Sequence, residues 1–108
     1  MKQNEIWWAD LPPPVGRRPV LLMTRSSAYD YLNKVVVAEI TTTVRGIPQE
    51  LGLGEPEGIG PSVANFDNLH VVPKQLLTAR AGALAASREV EVKRALGYAL
   101  GWPELKVL

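Results

Sequence analysis

The chain has no cysteine and a single histidine among its 108 residues. The absence of cysteine excludes a disulfide scaffold, thiol catalysis and the usual structural zinc sites, and the lone histidine excludes a metal site built from several imidazoles. No stretch is long and apolar enough to span a bilayer, and the first residues lack the basic-then-apolar order of a signal peptide. These absences predict a cytoplasmic protein with no membrane partner, and the lack of a glycine-rich phosphate loop and of metal-ligand spacing predicts no metal and no cofactor.

The chain also has little net charge, because 12 basic side chains nearly cancel 11 acidic ones. The net charge of +1 indicates no particular partner, but the distribution along the chain is uneven. Residues 17–45 hold five basic and two acidic side chains, whereas residues 46–73 hold four acidic side chains and no lysine or arginine. A cationic face within a near-neutral total attracts polyanions, so a polyanionic partner is one hypothesis.

Short apolar runs separated by glycine and proline predict one mainly β domain that spans residues 1–108. The two strongest runs, residues 18–25 and 34–41, are typical of strands that are buried on both faces. Weaker patterns predict one or two helical turns within residues 26–32. They also predict five further short strands, at residues 5–11, 48–53, 62–66, 68–72 and 78–84.

The clearest helix lies near the C-terminus, where an apolar stripe at helical spacing runs through residues 92–100. Ser87 is the predicted N-cap, Gly101 is the predicted C-cap glycine, and Glu89 can pair with Lys93 across one turn. Alternating β–α units are absent, which argues against a doubly wound fold. The predicted class is α+β, mostly β, as a small bent sheet or barrel with a C-terminal amphipathic helix.

Two polar clusters lie at the ends of the two buried strands. Arg17 and Arg18 begin the first, directly after turn-forming prolines, and cations fixed on a rigid strand suit a phosphate or a carboxylate. A solvated basic loop end has the same appearance. Thr41, Thr42 and Thr43 end the second strand, and their hydroxyls can bond phosphate oxygens, although threonine is also common at strand ends.

The remaining polar residues have competing interpretations. Asn33 and Asn65 can read base edges, but turn formation is the commoner role of asparagine. His70 can titrate near a site, but a lone histidine in an amphipathic strand is more often structural. Glu55 and Glu57 lie in a loop rich in glycine and proline, which argues against a fixed catalytic pair of carboxylates.

Six segments, taken together in order and spacing, carry a resemblance to a known family. They are 5–11 (EIWWADL), 16–21 (GRRPVL), 38–43 (AEITTT), 62–69 (SVANFDNL), 72–77 (VPKQLL) and 82–84 (GAL). From about residue 4 to residue 101 the chain resembles the MazF/PemK (Kid-like) toxins, the ribonuclease components of bacterial toxin–antitoxin pairs. No single segment is decisive, whereas the set is fairly specific.

The resemblance implies a compact SH3-like barrel of the CcdB/Kid type with a C-terminal helix, working as a homodimer in the bacterial cytoplasm. It implies cleavage of single-stranded RNA at short sequences without a metal, and inhibition by a cognate antitoxin. In such toxins the 2′-hydroxyl attacks the adjacent phosphorus, which leaves a 2′,3′-cyclic phosphate and a 5′-hydroxyl.

Carried over residue by residue, the family's catalytic arginine in its Arg-Pro-Val motif falls on Arg18. Its catalytic threonine, at the end of the Ile-Thr strand, falls on Thr41. A fixed guanidinium stabilises charge that develops on phosphoryl oxygens, whereas it is a poor proton acceptor. The candidate contacts with RNA are Arg17, Asn33, Thr42, Thr43, Asn65 and His70.

The chain departs from the family at two points. Relatives commonly carry a longer first loop with a Gly-Ser-Glu-Gln segment, so the acidic residue of that loop is missing here. His70 stands where relatives often have arginine. Two other functions fit the same architecture: a CcdB-like toxin that binds DNA gyrase and cleaves nothing, and a non-catalytic barrel that binds RNA or protein.

Overall fold

A computed structural model describes all 108 residues and contains one antiparallel sheet of six strands, ordered β4-β5-β3-β2-β1-β6. The strands are β1 (Glu5–Asp10), β2 (Arg17–Leu22), β3 (Lys34–Thr41), β4 (Glu50–Leu53), β5 (Ser62–Pro73) and β6 (Leu77–Ala83). The helices are α1 (Glu89–Leu100) and α2 (Pro103–Lys106). Short 3-10 turns occur at Ser26–Asp30, Glu55–Glu57, Lys74–Leu76 and Ala86–Arg88. Neither helix combines the length and the apolar character that a membrane-spanning helix needs.

Apolar side chains cover the sheet on both faces. Successive side chains of a strand point to opposite faces. Leu21 of β2 therefore packs in the cluster that includes Val92 of α1, whereas Val20 and Leu22 pack with Tyr29 and other apolar residues on the opposite face. The prediction that this apolar run forms a strand buried on both faces is confirmed.

The sheet is bent but not closed, because its two edge strands, β4 and β6, do not pair with each other. The predicted barrel is therefore barrel-like only in a loose sense. The chain that leaves β4 crosses to β6 through the turn Glu55–Glu57. A methyl group at Gly82 would collide with the carbonyl oxygen of Glu57, and Gly58 has a φ of +86° against the backbone of β6. Backbone packs on backbone here because both positions are glycine.

Two predicted strands, residues 62–66 and 68–72, are one strand with a bulge. In β5, Asn65 pairs with Glu39 of β3, but the next pair is Leu69 with Ala38. Residues 66–68 are thus left without partners on β3. Asp67 and the polar residues beside it resemble a turn in sequence, but the chain continues in the same direction after the bulge.

The helix prediction is correct in place and wrong at its start. Ser87 lies in the 3-10 turn Ala86–Arg88, and α1 begins at Glu89 without a side-chain cap. The pair of Glu89 with Lys93 is present at 3.8 Å, and Gly101 is the left-handed C-cap. Leu100, the last residue of the predicted apolar stripe, is 45% exposed because the core ends before it.

Candidate active site

Arg18 lies near the start of β2, on the sheet face that carries Val20 and Leu22. It shares a face with Val20, which pairs with Glu39 of β3, and continuing that register sets Arg18 opposite Thr41. The Nη1 group of Arg18 donates a hydrogen bond of 2.7 Å to Oε1 of Glu39. Two neighbouring antiparallel strands therefore bring together an arginine and a threonine that lie 23 positions apart in sequence.

The guanidinium of Arg18 is only partly engaged. Its Nε atom is buried and has no hydrogen-bond partner. The side chain is 30% exposed, so part of the guanidinium also faces solvent. A buried donor without a partner costs free energy, and the exposed part of a charged donor favours an anion. Arg18 thus combines a fixed position with unused capacity for an anionic ligand.

Two cavities meet at Arg18 and Thr41, which line both of them. The first has a volume of about 200 Å³ and is lined by Arg17, Arg18, Pro19, Ile40, Thr41, Thr42 and Ser62. The second is lined by Arg18, Glu39, Thr41, Thr43, Arg45, Asn65 and Asn68. Oγ1 of Thr41 accepts the backbone N–H of Thr43 at 3.1 Å, which leaves its own hydroxyl hydrogen free to donate.

The β5 bulge brings two predicted residues, Asn65 and His70, to the same face as Glu39. These two positions are five apart, so in an unbroken strand they would point to opposite faces. The shift of register at residues 66–68 reverses that alternation. His70 Nε2 lies 3.0 Å from Oε2 of Glu39, and Oδ1 of Asn65 accepts the backbone N–H of Asp67. Asn65 is buried and holds the bulge, in addition to lining the second cavity.

Arg17 lies on the face opposite to Arg18. Its Nη1 donates to Thr78 at 3.0 Å and pairs with Asp10 at 3.4 Å, and its guanidinium lies 5.1 Å from the ring centre of Trp8. Asp10 and Thr78 are exposed, Trp8 is partly buried, and Arg17 still borders the first cavity. Its geometry is that of a cation held at the rim of the site.

Asn33 is not brought to this site. It precedes β3 and lies at the end of the strand opposite to Thr41, about 25 Å away at the rise of an extended chain. It borders a separate cavity with Lys34, Pro73, Lys74 and Gln75. Of the eight predicted site residues, only Asn33 is remote from the Arg18 cavities and the Glu39 carboxylate.

Sequence reasoning missed Glu39, which joins two of the predicted residues. Its carboxylate bonds Arg18 through one oxygen and His70 through the other, and its side chain is 14% exposed. The missed signal is strand alternation: a glutamate two positions before Thr41 shares its face. Such a carboxylate can hold both partners in place. No group of three or more histidine, cysteine, aspartate or glutamate side chains lies close enough to hold a metal ion.

A second arginine centre lies on the α1 side of the sheet. Arg88 donates from Nε and Nη2 to the two carboxylate oxygens of Glu91, at 2.7 and 3.0 Å. Its Nη2 also donates to the carbonyl oxygen of Gly52 at 2.8 Å, and Nη1 lies 3.5 Å from Glu57. The Arg88 hydrogen bonds lower the pKa of Glu91 below its usual value, and Glu91 in turn raises the pKa of Arg88.

Glu57, which sequence reasoning assigned to a loop without fixed carboxylates, is buried in this centre. Its carboxylate accepts the backbone N–H of Gly54 at 2.7 Å and pairs with Arg88. Glycine and proline in the surrounding segment suggested mobility, but the Glu57 carboxylate pairs with Arg88, which directly precedes α1. Glu57 is thus a fixed carboxylate with a structural role. The sequence interpretation was wrong to treat its side chain as mobile.

Comparison with known proteins gives a family and a set of similar chains. Residues 2–100 match the family described as PemK-like, MazF-like toxin of type II toxin-antitoxin system. A probable endoribonuclease MazF2 of Mycobacterium tuberculosis is 38% identical over 103 residues, which cover 94% of this chain and 99% of that protein.

Two solved structures extend the similarity to the fold. The Mycobacterium tuberculosis toxin MazF-mt6 is 38% identical with a TM-score of 0.85, over 90% of this chain and 96% of that toxin. An endoribonuclease in complex with its cognate antitoxin from a Mycobacterial species is 26% identical with a TM-score of 0.84, over 95% and 97% of the two chains.

Proposed function

The chain belongs to the PemK-like, MazF-like toxins of type II toxin–antitoxin systems, and from this we propose how its cavities act on RNA. It is an endoribonuclease toxin of the MazF type. Its partners are RNA and a cognate antitoxin, as the complex of a similar endoribonuclease suggests. The working form is a homodimer in the bacterial cytoplasm, and the RNA is single-stranded and cut at short specific sequences.

The chemistry that we assign to the site is attack by a 2′-hydroxyl on the adjacent phosphorus, without a metal. The O2′–P bond forms and the P–O5′ bond breaks, giving a 2′,3′-cyclic phosphate and a 5′-hydroxyl. Negative charge grows on the phosphoryl oxygens during this step, and a guanidinium that is already in position stabilises it. Arg18 takes this role, and the Thr41 hydroxyl donates to the same phosphate.

The observation that carries this assignment is that Arg18 and Thr41 line both cavities, while the Arg18 guanidinium is partly exposed and bonds the chain through Nη1 alone. A phosphate oxygen can accept from the exposed part of this guanidinium. Arg17 and Thr42 then border one side of the bound strand, and Thr43 and Asn65 border the other. Asn33 lies too far from Arg18 to touch the same nucleotide and is left out of this arrangement.

The test is a cleavage assay of the purified protein on single-stranded RNA in the presence of EDTA, with the product ends mapped. We expect fragments that begin with a 5′-hydroxyl, end in a cyclic phosphate and share a short sequence at the cut. R80A is a matched control, because Arg80 is also a strand arginine paired with a glutamate, Glu5, but lines neither cavity.

The outcomes separate the alternatives. Cleavage that EDTA abolishes contradicts the metal-independent chemistry. RNA binding without cleavage supports the non-catalytic barrel instead. A protein that neither binds nor cleaves RNA but binds DNA gyrase is the CcdB-like toxin. Loss of cleavage in R18A but not in R80A supports the assignment of the site.

A further inference from the structure

The carboxylate of Glu39 joins Arg18 to His70 in one hydrogen-bonded chain, and this chain goes beyond the arginine and threonine of the proposed site. Arg18 Nη1 lies 2.7 Å from one oxygen of Glu39, and His70 Nε2 lies 3.0 Å from the other. Two hydrogen bonds and the width of one carboxylate thus separate the guanidinium from the imidazole, roughly 8 Å at most. The 2′-oxygen, its adjacent phosphate and one hydrogen bond to each protein group can bridge a separation of this size.

The tautomer of His70 follows from its partner. A carboxylate that already accepts from Arg18 is an acceptor only, so Nε2 of His70 carries the hydrogen that Glu39 receives. The other ring nitrogen, Nδ1, has no protein partner, and the side chain is 33% exposed. An imidazole held through one nitrogen and free at the other is the arrangement in which histidine accepts a proton.

The reaction needs an acceptor for the 2′-hydroxyl proton, and the other groups at the site serve poorly. Arg18 stays protonated, and the Thr41 hydroxyl is a weak base. Both oxygens of Glu39 are engaged, and its side chain is 14% exposed. His70 is the one histidine of the chain, and histidine is the side chain that exchanges protons near neutral pH.

Resting on the endoribonuclease function proposed above, we propose that His70 is the general base and Glu39 its positioning residue. His70 Nδ1 takes the proton of the 2′-hydroxyl as the O2′–P bond forms. The 5′-oxygen leaves with the electron pair of the P–O5′ bond and takes a proton from water. Solvent then removes the proton from His70, and the protein returns to its starting state.

The charged groups around the imidazole agree with this role. Glu39 of β3 contacts it directly, and Arg18 of β2 contacts the far oxygen of Glu39. The β5 bulge supplies the geometry, because the reversed alternation turns His70 toward Glu39.

The experiment measures single-turnover cleavage of a short RNA with protein in excess, between about pH 5 and pH 9. The variant is H70Q, whose amide can still donate to Glu39 but cannot exchange a proton. We expect its rate to fall by about 100- to 1,000-fold and the rise of rate with pH to disappear. Its affinity for an RNA with a 2′-deoxy nucleotide at the cut should stay within about threefold of wild type.

Glu39 has its own variant. E39Q should lower the rate by about tenfold with the affinity for the 2′-deoxy RNA unchanged, because an amide holds the His70 ring less firmly than a carboxylate that accepts from it. The matched control is E89Q on α1, which removes a glutamate paired with Lys93 far from the cavities and should leave rate and pH profile unchanged.

Three results would overturn the role of His70. One is an H70Q protein that cleaves at the wild-type rate with the wild-type pH profile. Another is an H70Q protein that loses only affinity, with an unchanged rate at saturation. The third concerns H70A, in which added imidazole should restore cleavage; no restoration in a folded, RNA-binding H70A contradicts the proposal. A wild-type protein that cleaves no RNA removes the proposed function itself, which distinguishes the two failures.

Discussion

The two arginines Arg18 and Arg88 each meet a glutamate, but they use their donors in opposite ways. Arg88 engages Nε, Nη1 and Nη2 with Glu91, Gly52 and Glu57. Arg18 bonds Glu39 through Nη1 alone and leaves a buried Nε without a partner. The chain engages all three nitrogen atoms of the first guanidinium but only one nitrogen atom of the second.

This difference teaches how to separate a structural ion pair from a binding site. Arg88 joins the start of α1 to β4 and to the turn before Gly58, so its contacts serve the fold. Arg18 is held by a single bond at the boundary of two cavities. The exposed part of a guanidinium that has no partner within the chain is available to an anionic ligand. The variants below test this contrast, from the largest expected effect to the smallest.

R18A should remove catalysis and spare the fold. We expect cleavage to fall by about 100- to 1,000-fold, because a preorganised donor to the phosphoryl oxygens is lost. The free energy of unfolding should change by less than about 1 kcal/mol, since Glu39 keeps His70 as a partner. Urea unfolding and single-turnover cleavage measure the two quantities. Near-wild-type activity in R18A contradicts the site assignment.

R88A should lower the stability of the fold and spare catalysis. Its removal leaves the buried Glu57 without a counter-charge, so the free energy of unfolding should fall by about 2 kcal/mol. Cleavage per folded molecule should stay within about twofold of wild type. The control is K93A, which breaks an exposed pair and should cost less than about 0.5 kcal/mol. A large loss of cleavage in folded R88A breaks the contrast.

T41V should give a smaller catalytic loss than R18A. The substitution keeps the shape of the side chain but removes the hydroxyl, and we expect cleavage to fall by about tenfold, or 1.4 kcal/mol of transition-state stabilisation. T41S retains the hydroxyl and should retain most of the activity. Equal activity of T41V and wild type would mean that the Thr41 hydroxyl does not touch the reacting phosphate.

The smallest effect is the pH dependence of stability that Arg88 creates. Because the folded state lowers the pKa of Glu91 below 4.5, this group stabilises the fold above that value. The contribution is lost as pH falls through the folded-state pKa. E91Q and R88A should both lose less stability than wild type when urea unfolding at about pH 6 is compared with about pH 3. A slope as steep as wild type in both variants contradicts this account.

Much of the fold and part of the site follow from sequence because their signals are local. The apolar run after Pro19 predicts β2, and helical spacing predicts α1. The proximity of Arg18 and Thr41 follows once the two strands are neighbours, and the resemblance to the family supplied their proposed roles. The family assignment itself is confirmed.

What sequence reasoning missed depends on register and on long-range packing. The bulge changes which side chains share a face. The residue types at positions 66–68 do not indicate how many residues of β5 are left unpaired with β3. Glu39 therefore appeared as one polar residue among many, and its link to His70 was not predicted. Glu57 and Arg88 lie 31 positions apart, so their contact is invisible until the sheet and α1 are assembled.

The close approach of Gly58 to Gly82 also protects the sheet against edge-to-edge aggregation. An open sheet exposes unpaired backbone groups at its edges, and such edges recruit strands from other molecules into aggregates. The edge strand β4 has only four residues, which limits what another chain can gain from it. The edge strand β6 is longer, and the crossing segment packs on its backbone at Gly82. A side chain at either glycine would lift that cover and expose the edge to a neighbouring molecule.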